Sequence, residues 1–217
     1  MRLKVFKENV STVFRKDGYF PMSRLKPLDI TLCGMFIVII AIGANITSIF
    51  PFFVIGGVPI TLQTFFVILA GFILGSRLGT IAVIVYVLMG LFGLPVFAQF
   101  TGGLQTIFRP TFGFILSFIL TAYAVGKISE RNKNVFTYCV AAIIGLIINY
   151  VIGTNWMYFA YRYWAEAPGN FSYTVAWLWM VPPLIKDLPL SIMASLFAYR
   201  FNTSVWTKKQ WEKFRMN

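Results

Sequence analysis

Residues 30–76 read ITLCGMFIVIIAIGANITSIFPFFVIGGVPITLQTFFVILAGFILGS, a stretch without a single charged side chain. A helix crosses a hydrocarbon core of roughly 30 Å with about 20 residues, so this run holds two crossings rather than one. Pro51 and the Gly56-Gly57-Val58-Pro59 stretch divide it, because proline withdraws a backbone donor and glycine lets the chain turn. Outward from it, further charge-free runs follow at 78–108, 110–126, 134–161 and 167–185. A soluble core imitates one such run but not a series of them. With 58% of the residues hydrophobic and 12% charged, lipid rather than water is the solvent for most of this surface. The breaks place spans at about 29–50, 60–76, 78–94, 110–128, 134–162 and 173–200. The sequence therefore predicts an all-α integral membrane protein with six transmembrane helices. It comprises a cytoplasmic lead-in over 1–28, a membrane domain over 29–201 and a basic cytoplasmic tail over 202–217.

The net charge of +12 does not form one basic patch, which argues against nucleic acid as a partner. The cations cluster at the chain ends and between apolar runs, where they read as topology signals. In this layout sixteen of the nineteen Lys and Arg residues fall on one side, leaving Arg109 and Arg162 opposite and Lys186 inside the last span. Cytoplasmic loops are enriched in cations, so both termini are expected in the cytoplasm. The segment Val96–Phe108, which carries Gln99, Thr101, Gly102, Gly103 and Gln105, is expected to be an outer or re-entrant loop that lines a cavity.

Several chemistries are excluded by what the chain lacks. There is no histidine, so a Ser-His-Asp triad and a histidine zinc site are absent. The carboxylates other than Asp187 sit outside the spans or at their ends, and no phosphate-binding glycine loop occurs, so energy must come from a partner or a gradient. Cys33 and Cys139 both lie in apolar segments and imply no disulfide framework.

Lys186-Asp187 within the last span stands out, because a charge near mid-membrane costs roughly 2.5–3.5 kcal/mol on insertion scales. Two readings compete, a ligand site and an ion pair that only neutralises itself. Neighbouring residues on a helix point about 100° apart, which disfavours the closed pair. Pro182, Pro183 and Pro189 imply irregular backbone beside it, with freed N–H groups able to help bind an anion. Asn149, Tyr150, Asn155 and Trp156 of span five, and Gln63 and Thr64 of span two, either glue helices together or face the same cavity.

One ordered series of residues resembles a known family. It runs Val58-Pro59-Ile60-Thr61-Leu62-Gln63-Thr64, Leu69-Ala70-Gly71, Leu74-Gly75, Gly93-Leu94-Pro95-Val96-Phe97-Ala98, Thr101-Gly102-Gly103, Pro110-Thr111 and Gly113-Phe114, continuing with Gly153, Trp156, Asp187, Ala194 and Ala198. It is similar to the biotin-specific substrate-binding subunit of energy-coupling factor transporters, the BioY family. The resemblance implies a multi-pass cell-membrane subunit that binds biotin from outside, uses no cofactor and performs no chemistry itself. It also implies docking on a transmembrane coupling subunit that works with two ATP-binding cassette ATPases.

Carried over, the binding positions fall on Thr101 with Gly102 and Gly103, and on Asp187. The lysine that relatives place three residues after the acid is Leu190 here, and Lys186 is the expected substitute. Thr101 stands where relatives carry an asparagine, and its hydroxyl both donates and accepts. Trp156 is expected to cover the ligand ring, with Asn155, Gln63 and Gln99 beside it and the Gly56-Gly57 loop as a lid. The resemblance puts the docking face on the first span, at Gly34, Ala41, Gly43 and Ala44, interrupted by Ile37 and Val38. Other readings are a transporter of a different vitamin or cofactor precursor, an intramembrane enzyme using Lys186 and Asp187, and an assembly protein.

Overall fold

The computed structural model describes residues 25–46, 54–55 and 58–204. Most of the expected lead-in, the Gly56-Gly57 lid and most of the basic tail lie outside them. Among the described residues the architecture is α1 (Pro27–Asn45), β1 (Val54–Ile55), β2 (Val58–Pro59), α2 (Gln63–Leu91), α3 (Phe112–Arg131), α4 (Val135–Tyr163), α5 (Tyr173–Trp179) and α6 (Val181–Ser204). The strands form a minimal antiparallel hairpin with Ile55 opposite Val58. All the helices except α5 are long and apolar enough to cross a membrane, which makes five candidate spans.

Local chemistry fixes the helix starts. Pro27 opens α1, where its missing N–H costs nothing, and Asp29 accepts from the Lys26 amide at 3.1 Å. The Asn134 side chain caps α4 by accepting from the Thr137 amide at 2.6 Å, and Ser172 caps α5. The stretch expected as one span over 173–200 instead breaks at Met180, into α5 and α6. Pro182 and Pro183 fall in the first turn of α6, where no amide donor is needed. Pro189 lies inside the helix and leaves the Ile185 carbonyl without its helical donor.

The two expected spans at 60–76 and 78–94 are joined within α2, which is folded back on itself. Gly75 sits inside it at φ 79° and ψ 177°, backbone that in practice only glycine adopts. Gln63 donates to the Tyr86 hydroxyl at 2.6 Å across 23 residues, a separation of about 35 Å in a straight helix. Gly79 likewise rests against the Ala70 carbonyl, so the arms on either side of Gly75 run side by side.

Glu130, at the end of α3, holds this turn. Its carboxylate accepts from the Ser76 amide at 2.7 Å and from the Ser76 hydroxyl at 2.9 Å, a helix cap supplied by another helix. Glu130→Ala is expected to lower stability by about 1–2 kcal/mol, with partial recovery in Glu130→Gln, whose carbonyl still accepts. Thermal unfolding of the detergent-solubilised chain checks this, and equal transition temperatures in all three would mean that the turn stands without its cap.

Two apolar cores fill the bundle. One, around Ile68, Val125, Tyr138 and Leu146, joins the first arm of α2 to α3, α4 and α6. The other, around Ile40, Val83, Tyr86 and Phe118, joins α1 to the second arm of α2 and to α3. Apolar side chains such as Ile84, Leu88, Ile147 and Phe197 point outward, as lipid requires. On α1 the expected docking residues divide. Ala44 and Gly43 face inward, Ala44 fully buried and the Gly43 carbonyl accepting from the Leu62 amide at 2.9 Å, so neither can meet a partner. Gly34 and Ala41 remain part-exposed.

Candidate functional site

The segment between α2 and α3 folds as two short 3₁₀ turns, Ala98–Phe100 and Leu104–Phe108. Phe97 and Thr101 bridge the first through reciprocal amide–carbonyl bonds of 3.0 and 3.3 Å. Gln99 at φ 61° and Phe100 at φ 53° both take left-handed backbone, so the turn is strained as well as tight. Trp164 and Trp156 strap the far end of the segment, their indole N–H groups donating to the carbonyls of Phe108 at 2.7 Å and Arg109 at 3.2 Å.

Beneath these turns is a cavity of about 150 Å³, walled by the start of α2, the head of α3, the middle of α4 and the head of α6. Phe97, Phe114, Ile115 and Phe118 supply its apolar wall. Asp187 is buried in it, and its Oδ2 accepts from the Tyr150 hydroxyl at 2.8 Å. Lys186 Nζ lies 2.8 Å from Asp187 Oδ1 and also donates to the Thr61 carbonyl.

The ion pair is thus closed, against the expectation from helical spacing. Spacing describes where Cα–Cβ bonds point, and four methylenes let the lysine ammonium swing back over its neighbour. Burial of such a pair is tolerable because each charge also has a hydrogen-bonding neighbour, Tyr150 for the acid and Thr61 for the ammonium. Chemically, the site offers a carboxylate acceptor and an ammonium donor side by side. A ligand carrying both N–H donors and an anion can satisfy the two together.

Of the other sequence-derived candidates, Gln63, Gln99 and Thr101 line the cavity, and Arg109 lines its outer, exposed rim. Gly102 and Gly103 lie behind the wall as the base of the loop, where the Gly103 amide donates to the Gly90 carbonyl at 2.7 Å. Trp156 lies off the wall, packed against Phe112 and Trp164. Asn155 also lies off it, with its amide turned back to the Val151 carbonyl at 2.7 Å. Asn149 reaches the wall but is tied to the Ser117 hydroxyl at 2.7 Å, so it joins α4 to α3. Thr106 was not legible beforehand. It is almost fully buried at the cavity, and its hydroxyl has no partner among the described residues, leaving it available to a ligand. A loop threonine carries no sequence signal for this role, which only the fold creates.

Known proteins are similar to this chain over most of its length. The model of the BioY family matches residues 19–206. BioYB of Bacillus subtilis is 42% identical over 177 residues, covering 81% of this chain and 88% of that one. The biotin transporter BioY of Thermotoga maritima is 43% identical over 120 residues, covering 55% of this chain and 68% of that one. Among solved structures, the crystal structure of the S-component for biotin from an ECF-type ABC transporter superposes with a TM-score of 0.68 at 20% identity. That match covers 83% of this chain and 96% of the other, and it shows a shared fold.

Proposed function

The chain belongs to the BioY family, and on that premise we propose that it is the biotin-capturing membrane subunit of an energy-coupling factor importer. The observation that carries this reading is the Tyr150–Asp187–Lys186 cluster buried at a cavity inside a membrane domain. Biotin has two ureido N–H donors, one ureido carbonyl, an apolar bicyclic ring and a carboxylate. Asp187 accepts from the ureido N–H groups and the Thr106 hydroxyl donates to the ureido carbonyl, while the Thr101 hydroxyl, which donates to the Ala98 carbonyl at 2.9 Å, keeps acceptor capacity for a ureido N–H. Phe97 and Phe114 face the ring, and Lys186 turns from Asp187 to the ligand carboxylate.

The inferred topology has six crossings, counting the two arms of α2 separately, with both termini cytoplasmic. It is supported by the Gln63–Tyr86 contact between the arms and by the one-sided distribution of Lys and Arg. The chain is a transport protein rather than an enzyme. Tight binding gives no transport by itself, so the transmembrane coupling subunit and two ATP-binding cassette ATPases are the partners that drive release. The part-exposed Gly34 and Ala41 on α1 are the positions we assign to docking, since small residues permit close helix approach.

Thermal unfolding with biotin, dethiobiotin, thiamine and riboflavin tests the ligand. A ligand that binds only the folded state stabilises it by RT ln(1 + [L]/Kd), about 2.7 kcal/mol at one hundred times Kd. A shift with biotin is expected, and one confined to thiamine or riboflavin would keep the fold and overturn the substrate. A purely structural ion pair predicts no shift with any of them.

The role of Lys186 has its own expected result. The parent chain should prefer biotin over biotin methyl ester at least tenfold, and in Lys186→Met the preference should shrink to about twofold or less, as loss of one charge-assisted contact implies. Comparing two ligands on one variant cancels the destabilisation that an unpaired Asp187 brings. A preference kept in Lys186→Met would move the carboxylate site elsewhere, with Arg109 at the rim next in line.

A further inference from the structure

Asn45 ends α1 and is buried, with only 7% of its surface exposed. Its Oδ1 accepts from the Phe100 amide at 2.6 Å, while its Nδ2 donates to the Ala41 carbonyl at 3.0 Å and to the Val96 carbonyl at 3.5 Å. The Val96 carbonyl also accepts from the Tyr86 hydroxyl at 2.9 Å, and that hydroxyl accepts from Gln63. A continuous run of bonds therefore links the end of α1, the turn after Val96 and a side chain of the cavity wall. Phe100 follows Gln99 in left-handed backbone, which neither side chain favours, so the turn relaxes unless something outside it holds it. Asn45 supplies the hold. Ala98, Gln99 and Thr101 of the same turn line the cavity.

We propose that Asn45 is a positioning residue that latches the turn 97–101 across the cavity, so that ligand escape requires breaking the Asn45–Phe100 bond. The latch joins the cavity to the helix whose outward side chains Met35, Val38 and Ile42 have no cover within the bundle. A shift of α1 against α2 pulls directly on the turn, and the pose of α1 thereby sets how firmly the ligand is held. This inference rests on biotin as the ligand, which also serves as its probe.

The test is release of radiolabelled biotin from the purified full chain in nanodiscs, chased with unlabelled biotin, alongside the unfolding temperature of the ligand-free protein. Asn45→Ala is expected to release biotin about tenfold faster, the upper range of what one hydrogen bond of ordinary strength represents. Asn45→Asp keeps the acceptor for the Phe100 amide but sets a carboxylate oxygen against the Ala41 and Val96 carbonyls, so it should release biotin faster than the parent and at least about threefold more slowly than Asn45→Ala. Should Asn45→Ala not purify, Asn45→Ser carries the same comparison, because its hydroxyl is too short to reach Phe100. A merely structural asparagine would lower the unfolding temperature and leave the release rate of folded, loaded molecules unchanged. Release at the parent rate from Asn45→Ala, or equally fast release from the Ala and Asp variants, overturns the latch alone. A parent chain that retains no biotin overturns the ligand reading and the latch with it.

Discussion

Asp187→Asn is expected to reduce biotin affinity by at least about one hundredfold. In the proposed site the carboxylate would be a charged acceptor for ligand N–H groups, and charge-assisted bonds are worth roughly twice neutral ones. An amide at this position can still turn its oxygen toward Lys186 and its NH2 toward the Tyr150 hydroxyl, but it carries no charge where the 2.8 Å ion pair stood. Lys186 is then left without a counter-charge. This costs the ligand-free chain about 3 kcal/mol, the lower end for breaking a buried pair, because 25% of the lysine side-chain surface is still exposed. Titration calorimetry with biotin and unfolding without it read the two effects separately. Adding Lys186→Met to Asp187→Asn removes the stranded charge, so the double variant should regain stability and still fail to bind. Affinity within about threefold of the parent in Asp187→Asn would remove the acid from the site.

Gly126→Val should cause a large loss of stability. A Cβ on Gly126 would lie 2.4 Å from the Ser76 amide nitrogen and 2.7 Å from the Gly75 carbonyl carbon. Both are backbone atoms of the α2 turn, held from one side by the Gly75 conformation and from the other by Glu130. Neither can yield without parting α3 from α2. The expected penalty is at least about 3 kcal/mol, at the upper end for overpacking, or roughly 6–12 °C in unfolding temperature for a chain of this size. Gly169→Val is the control, since nothing lies within 4 Å of a Cβ there, and it should be neutral. Equal behaviour of the two variants would mean that α2 and α3 tolerate separation at the turn.

Much of the helix placement was legible because burial in lipid demands long charge-free runs. Spans expected at 110–128 and 134–162 are observed as Phe112–Arg131 and Val135–Tyr163. The end of α5 at Met180 was not legible, since three nearby prolines announce irregularity without saying which peptide bends. In the cavity, Lys186 and Asp187 stood out by the cost of an intramembrane charge, and both line it. Their closed geometry did not, because helical spacing fixes the direction of a side chain only at its root. Trp156 and Asn155 show the complementary limit. An aromatic and an amide suit a ligand chemically, but which neighbour each meets depends on the rotation of α4, and that is set by packing against α3 and α6. Asn45 and Thr106 are ordinary polar residues until the chain brings Phe100 to the one and the cavity to the other.

The contact between Lys186 and the Thr61 carbonyl joins positions 125 residues apart in the chain. At 5–20 residues per second, a ribosome emits the lysine roughly 6–25 s after the threonine it meets. Throughout that interval the cavity lacks its Lys186–Asp187 pair and the wall supplied by α6, so under the proposed reading the nascent chain cannot yet hold the vitamin. Under that reading, chains interrupted before α6 do not sequester substrate from finished ones, and retained biotin marks a molecule in which α6 has joined the bundle.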